Sequence, residues 1–584
     1  MESVPLWVGP PDRPLFAWLD VPDDGLVTGA VIVCPSMGLE AAYSTRALRT
    51  LAHLLVGSRW AALRLDYAAT GDSVGTWTDP GLVAEWLGNI RLAVDFVRAL
   101  GTDRVGVVGL RLGATLAAAE LARGGPVDDL VLWDPCATGR SFLREQAAFS
   151  AFRRETTVEW EIRKKGETEG NEGNAEGLVE APGAVFSAAT ASDLGPVAIA
   201  GGDRSLASRE LVLAREGRRL ALPVAARLTL PHVESSEITG QEALFGEETE
   251  TPVPTLERIA SWLAEPGAPL VRLSMPGRPA TAVLRAPGRP GVRERAVELG
   301  PARLFGILSE PEDGIDSSAP TVVFLNVGLI SHHGPGRLWV ELARACAARC
   351  GVRCLRVDLS GMGDSPTRPR RAELRAFPVD ALEDMEDIRR AATADGAPLM
   401  VVGVCSGADH AIEMALAAPV ASLCVINPAL SYVQWGGGED APAGDGLPPE
   451  SDDRQSWGAM GPVLSRAMVW FKPLRGRTRW IPTPGWWFVK RWLMTQSPVR
   501  TIEHLVRSGV KVLLVVGSDE AHRVYRGEQR RLRGLIAEGA VSIEAVDHLD
   551  HSLLERTSHD RVAELFGAYV ARRAAELSGP ADPA

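Results

Sequence analysis

Two kinds of apolar run alternate along this chain, and the alternation occurs twice. Short runs dense in Val, Leu and Ile, such as VIVCPSMGL, LRLDY and VGVVGL, are separated by longer stretches such as YSTRALRTLAHLL, where apolar residues recur at helical spacing. Apolar runs of about four to eight residues suit strands buried on both faces, and the amphipathic stretches suit the helices that cover them. The pattern predicts an α/β fold, doubly wound around a mostly parallel sheet.

The succession then returns in the same order. VIVCPSMGL, LRLDYAATGDS, VGVVGLRLGATLAAAEL and LVLWDPCATG are answered by VVFLNVGLI, LRVDLSGMGDS, MVVGVCSGADHAIEMAL and LCVINPALSY. Asp66 precedes Arg111 by 45 positions, and Asp358 precedes Cys405 by 47. Matching order and spacing predict two α/β domains in tandem, over residues 1–265 and 285–584. Between them, 266–284 reads as a Pro-, Gly- and Arg-rich linker with few packed contacts, its centre near residue 275. Two stretches interrupt the alternation. WEIRKKGETEGNEGNAEGLVEAPG reads as a polar loop of the first domain, and residues 432–500 fall where a lid would be inserted in the second.

Composition changes this picture little. The chain is 46% hydrophobic and 23% charged, as expected of a folded protein, and its 584 residues exceed one core. A net charge of -12 argues against nucleic acid as a partner. No basic segment followed by an apolar core opens the sequence, and no apolar stretch approaches the roughly 20 residues of a membrane span, so a cytoplasmic protein is expected. The seven cysteines read as thiols rather than disulfides. Cys346, Cys350 and Cys354 lack the paired spacing of a zinc site, and neither metal nor cofactor is expected.

The chemistry concentrates in the second copy. Gly403-Val404-Cys405-Ser406-Gly407 follows an apolar strand and precedes a helical run, the context of a nucleophile elbow. Cys405 would be the nucleophile, and the backbone N–H of Ser406 one oxyanion donor. The second donor is expected from Gly328 or Leu329, after the strand TVVFLNVGL. In this architecture acid and base follow the nucleophile in that order. Asp519 ends the run VKVLLVVGSDE, and His551 follows the run VSIEAVDHLDHS, with His548 as the competing base. A histidine suits the role because imidazole can take and return a proton near neutral pH. His332 and His333 lie in the loop after Leu329 and are candidates for the pocket mouth. Asp358 and Asp364, repeated as Asp66 and Asp72, read as turn-forming and structural.

The elbow, the strand end INP and the turn GMGDS resemble the α/β-hydrolase superfamily, over most of residues 285–575 and more loosely over 15–265. LNVGLISHHGPGRLWVELARA resembles hydrolases associated with bacterial exosortase and exopolysaccharide gene clusters, within the serine aminopeptidase-like hydrolases. A cysteine in the elbow is similar to dienelactone hydrolases and polyhydroxyalkanoate synthases, whose nucleophile matches Cys405. The lid and flanks depart from both, so neither substrate carries over.

The first copy looks disarmed. Gly109-Leu110-Arg111-Leu112-Gly113 puts a guanidinium, which stays protonated, where the nucleophile belongs. Aligning VAIAGGDRS with LLVVGSDEA sets Asp203 opposite Asp519, and aligning LPHVESSEI with VDHLDHSLL sets Ser235 opposite His551 and His232 opposite His548. Arg111 is then expected to reach across the vacated site to Asp203, in a degenerate structural domain or in an anion site.

These readings predict an acyl-transfer enzyme, an acyltransferase or a thioesterase or esterase, acting through a Cys405 thioester. A plain hydrolase and a non-catalytic scaffold are the alternatives. Trp470, Phe471, Trp480, Trp486, Trp487 and Trp492 would contact an apolar acyl group or form the lid's own core. Lys472, Arg475, Arg477, Arg479, Lys490 and Arg491 would meet acyl carrier protein, coenzyme A phosphate or an anionic membrane surface.

Overall fold

The computed structural model describes every residue except 152–178, 201–203, 247–248, 266, 276, 278–280, 286–289, 317, 377, 379–380, 429–497, 518–528, 548 and 578–584. The expected lid therefore lies outside the described residues up to 497, as does most of the expected polar loop. No helix among the described residues is long and apolar enough to cross a membrane.

Two large sheets organise the chain. Across the first run Glu2–Val8, Leu15–Val21, Trp60–Leu65, Gly29–Cys34, Val105–Leu110, Val127–Trp133, Ala207–Arg215 and Val233–Ile238. Across the second run Thr281–Leu284, Val292–Leu299, Leu304–Pro311, Arg353–Val357, Thr321–Phe324, Leu399–Cys405, Ser422–Pro428, Lys511–Gly517 and Val541–Val546. Leaving aside the extra edge strand Thr281–Leu284, the two orders coincide strand for strand. In both, the opening strands pair antiparallel and the remainder parallel.

The core follows the period of two in each strand. In Gly29–Cys34, Ala30, Ile32 and Cys34 pack with the helices Leu82–Ala99 and Leu112–Gly124, while Val31 and Val33 pack with Leu39–Gly57 and Val253–Leu263. In Leu399–Cys405, Leu399 and Val401 meet the helices Ala381–Ala392 and Ser406–Ala417, while Met400, Val402 and Val404 meet Leu338–Cys350 and Arg556–Leu577. Central strands covered on both faces are apolar throughout, as the sequence pattern predicts.

The expected linker is not free of packed contacts. Val271–Arg272 pairs antiparallel with Leu26–Val27 of the first half, and Thr281–Leu284 pairs with Val292–Leu299 of the second. Its proline and glycine content hid two short strands.

The halves meet through the same loop in each. Asp66 and Asp358 accept the N–H of the residue six positions on, Asp72 and Asp364, each at 3.0 Å, closing equivalent turns. Each turn is then gripped by the opposite half. Arg64 donates to Asp364 at 2.7 Å, and its counterpart Arg356 donates to Asp72. Arg46 donates to the Ser365 carbonyl at 2.8 Å and pairs with Glu373. Arg337 reaches the carbonyls of Gly71 at 2.7 Å and Gly75 at 2.9 Å. Beside these polar contacts Trp18 and Phe305 pack at 4.7 Å between ring centroids. The contact is a pseudo-two-fold exchange inside one chain, in which equivalent residues meet each other's turns.

Burying these charges is tolerable because most of them face a carboxylate of the opposite half or of the same network. Arg356 and Glu294 are fully buried and joined at 2.9 Å, and Arg344 reaches Glu294 at 2.7 Å. Removing one member of such a pair leaves an uncompensated charge, at a cost of about 3–5 kcal/mol.

Candidate active site

Cys405 ends the strand Leu399–Cys405 and stands at the N-cap of the helix Ser406–Ala417. Its backbone sits at φ 51, ψ −118, which a side-chain-bearing residue adopts only under strain. Packing enforces this conformation. A Cβ on Gly403 would fall 2.0 Å from the Gly407 carbonyl oxygen, and one on Gly407 would fall 2.4 Å from that of Asn326. Strand and helix thus pass closer than side chains allow, and the half-buried thiol is held at the C-terminal edge of the sheet.

His551 follows the strand Val541–Val546 and places Nε2 at 3.2 Å from Cys405 Sγ. Its loop is pinned by Asn427, near the end of the neighbouring strand Ser422–Pro428. Asn427 Nδ2 donates to the carbonyls of Asp550 at 3.1 Å and His551 at 3.3 Å, and its Oδ1 accepts from the Gly517 N–H at 3.3 Å. One buried amide therefore ties three strand ends together. Asn427 is not among the site residues expected from the sequence. The available signal was a polar residue before proline at the same strand end in both copies, Asp134-Pro135 and Asn427-Pro428.

Asp519 and His548 lie outside the described residues; the strand Lys511–Gly517 ends just before Asp519 in the chain. Of the expected oxyanion donors, Ser406 begins its helix, where the first backbone N–H groups lack intrahelical partners and favour negative charge. The Gly328 N–H, however, donates to the buried Ser406 Oγ at 2.9 Å. Gly328 is thereby engaged within the protein, and Leu329 becomes the loop's candidate donor.

His332 does not stand at the mouth of a pocket with Cys405. It is fully buried at the joint, its Nδ1 at 2.8 Å from Asp358 and its Nε2 at 2.7 Å from Asp72 of the first half. Burial alone would push the imidazole down, but these two carboxylates outweigh it and hold its pKa up at about 10, so the ring carries positive charge. His333 is partly exposed beside it, with Nε2 at 3.1 Å from the same Asp72 oxygen.

The elbow of the first half keeps its shape and loses its chemistry. Arg111 sits at φ 52, ψ −115 between the strand Val105–Leu110 and the helix Leu112–Gly124. Its guanidinium is buried among Glu40 at 3.3 Å, Asp134 at 3.6 Å and Glu145. Gln146 and Ser36 also donate to Glu40, and Arg215 to Asp134. The expected partner Asp203 is outside the described residues, and the expected equivalences fail. The strand opposite Lys511–Gly517 is Ala207–Arg215, which follows Asp203, whereas Asp519 follows its own strand. Ser235 lies within Val233–Ile238, the counterpart of Val541–Val546, whereas His551 lies beyond it, and His232 precedes that strand. An alignment on GGD and VGSD is thus displaced by one strand, and in strand order neither Asp203 nor Ser235 corresponds to Asp519 or His551.

Residues 322–565, in the second half of the chain, match the model of the alpha/beta hydrolase family. Curated proteins include no match to the chain. Similar solved structures include a putative hydrolase from Agrobacterium vitis S4, with 17% identity, 45% of this chain and 99% of that one covered, and a TM-score of 0.30. Proline iminopeptidase from Mycobacterium smegmatis shares 18% identity over 48% of this chain and 99% of its own, at 0.30. Est1E from Butyrivibrio proteoclasticus, solved with ferulic acid bound, shares 14% over 44% and 98%, at 0.31.

Proposed function

We propose that the chain is an acyl-transfer enzyme of tandem α/β-hydrolase build, resembling the exosortase-associated hydrolases. It would take an acyl ester or thioester through Cys405, with His551 as base and Asp519 as the acid that orients it. The observation that carries this reading is the 3.2 Å approach of His551 Nε2 to a thiol on a strained elbow. In the first step Cys405 Sγ bonds to the substrate carbonyl carbon while its proton passes to His551 Nε2. The oxygen that gains negative charge is met by the N–H groups of Ser406 and Leu329. Collapse breaks the bond to the leaving alcohol or thiol, which takes the proton from His551 and leaves a thioester on Cys405. In the second step His551 removes a proton from water or from an acceptor amine or alcohol as that oxygen or nitrogen bonds to the acyl carbon, and collapse breaks the C–S bond and returns the proton from His551 to the Cys405 thiolate.

A thioester exchanges with an acceptor at least as readily as with water, so transfer is the preferred outcome and release of free acid the other. The first half serves as a degenerate partner. Incubation with an acyl thioester and graded acceptor, read by intact mass, tests this. An adduct of acyl mass is expected on the parent chain and none on Cys405→Ala, with product diverted to the acceptor as its concentration rises. Free acid as sole product at every acceptor concentration would leave a hydrolase. No adduct and no turnover would remove the enzyme reading.

A further inference from the structure

We propose that Asp72, His332 and His333 bind one divalent transition-metal ion, zinc being the best match, at the joint between the two halves. Three ligand atoms already face one another there. His332 Nε2 and His333 Nε2 lie 2.7 and 3.1 Å from the same Asp72 oxygen, and all three atoms fall within 4.8 Å of each other. Bonds of about 2.0–2.1 Å in a tetrahedral zinc site put neighbouring ligands about 3.3 Å apart, so each imidazole nitrogen needs to part from the Asp72 oxygen by only about 0.2–0.6 Å.

The far side of every ligand is also held. His332 Nδ1 meets Asp358 at 2.8 Å, His333 Nδ1 meets the Ser331 hydroxyl at 2.8 Å, and the other Asp72 oxygen accepts from Arg356. Metal-bound histidines are oriented by such contacts, a carboxylate or other acceptor on the second ring nitrogen, and metal-bound carboxylates are themselves hydrogen-bonded. An ion pair accounts for His332 between two aspartates. A hydrogen bond to the same oxygen accounts for His333 as well, so zinc would bind by displacing the protons that the two Nε2 atoms hold toward Asp72.

The donor set selects the ion. Two imidazoles and one carboxylate favour zinc, or iron(II) or manganese(II), over calcium and magnesium, which prefer oxygen throughout. The site has room for a further ligand. Asp66 lies with a carboxylate oxygen 4.0 Å from His333 Nε2, and both residues line a cavity of about 200 Å³ between the halves, together with Ser331, Arg64, Asp364 and Trp18. Water or a small anionic ligand could complete the coordination from that side. The inference does not depend on the chemistry proposed for Cys405.

The test is zinc binding by the full-length chain, stripped with a chelator and titrated by calorimetry, with metal content measured on the purified protein. One equivalent of zinc per chain is expected. Asp72→Asn and His333→Gln should each weaken binding at least a hundredfold. His333 is the less buried ligand, so a folded His333→Gln protein, verified by circular dichroism, decides the matter even if the Asp72 variant unfolds. Cys350→Ser and Cys405→Ser should bind like the parent, which excludes thiolate capture. Because the ligands come from both halves, zinc should also raise the melting temperature of the parent and not of His333→Gln. No stoichiometric uptake of zinc, manganese(II) or iron(II), or uptake unchanged in His333→Gln, would overturn the proposal and leave an ion pair only.

Discussion

The two elbows share a backbone and differ in everything that backbone displays. Cys405 and Arg111 hold φ and ψ within a few degrees of each other, each between a buried strand and a helix. At Cys405 the raised side chain meets an imidazole; at Arg111 it meets three carboxylates. Strain of about 1–3 kcal/mol at such a residue persists only where its surroundings impose it. Its survival at Arg111, where there is no nucleophile, shows that strand-to-helix packing sets the turn and chemistry occupies it afterwards. Asp134 and Asn427 make the same point one strand over. At one strand end the carboxylate answers arginines, and at the other the amide ties down the His551 loop.

Substitutions at these paired positions should separate the halves sharply. The largest effect is expected for Cys405→Ala and His551→Ala, with turnover of an acyl thioester falling on the order of a million-fold for loss of the nucleophile, whereas His548→Ala should stay within tenfold. A variant at Cys405 that kept turnover within tenfold would erase the contrast between the elbows. Next, Arg111→Ala should destabilise the chain by about 3–5 kcal/mol in denaturant unfolding, because Glu40, Asp134 and Glu145 lose a buried counter-charge. The kcat at Cys405 should be nearly unchanged. Normal stability together with lost activity would mean that the first half takes part in catalysis.

Smaller still, Asn427→Ala should lower kcat by roughly ten- to a hundredfold, with KM little altered, because it shifts the base rather than removing it. The smallest effect concerns pH. The hydrogen bond from Arg46 holds Glu373 down at about 2, and Glu294, which burial would raise, is held below its usual value by Arg344 and Arg356. Carboxylates depressed in the folded state contribute stability above their unfolded pKa of about 4.3 and lose it as pH falls toward the folded value. Melting temperature should therefore drop between about pH 4.5 and pH 2, less so in Glu373→Gln. An equal drop in that variant would place the acid-sensitive contact elsewhere.

The sequence displayed what is local and repeated. Strand and helix periods, the elbow at Gly403–Gly407 and the order of the two copies were all legible, since each is written within a short window. What it concealed depends on contacts between distant residues. Asp66 and Asp358 do close turns, as expected of that pattern, but Asp72 and Asp364 also answer arginines of the other half, a pairing without periodicity to betray it. Asp203 and Asp519 share a local Gly and Asp pattern, and only the strand order shows that the first copy reaches its equivalent strand later. Gly328 could not be told from Leu329, because the choice rests on one bond to the Ser406 hydroxyl.

The exchanged turns also set a timetable for synthesis. Arg356 is made 284 positions after the Asp72 it covers. At roughly 5–20 residues per second, that interval lasts about 15–60 s. Within it, from the completion of the first half at about Leu263 until Arg356 is made, that half presents a bare turn and the aromatic ring of Trp18 to whatever is nearby, a window in which a chaperone, or a second chain on the same messenger, can reach them before their own partner exists.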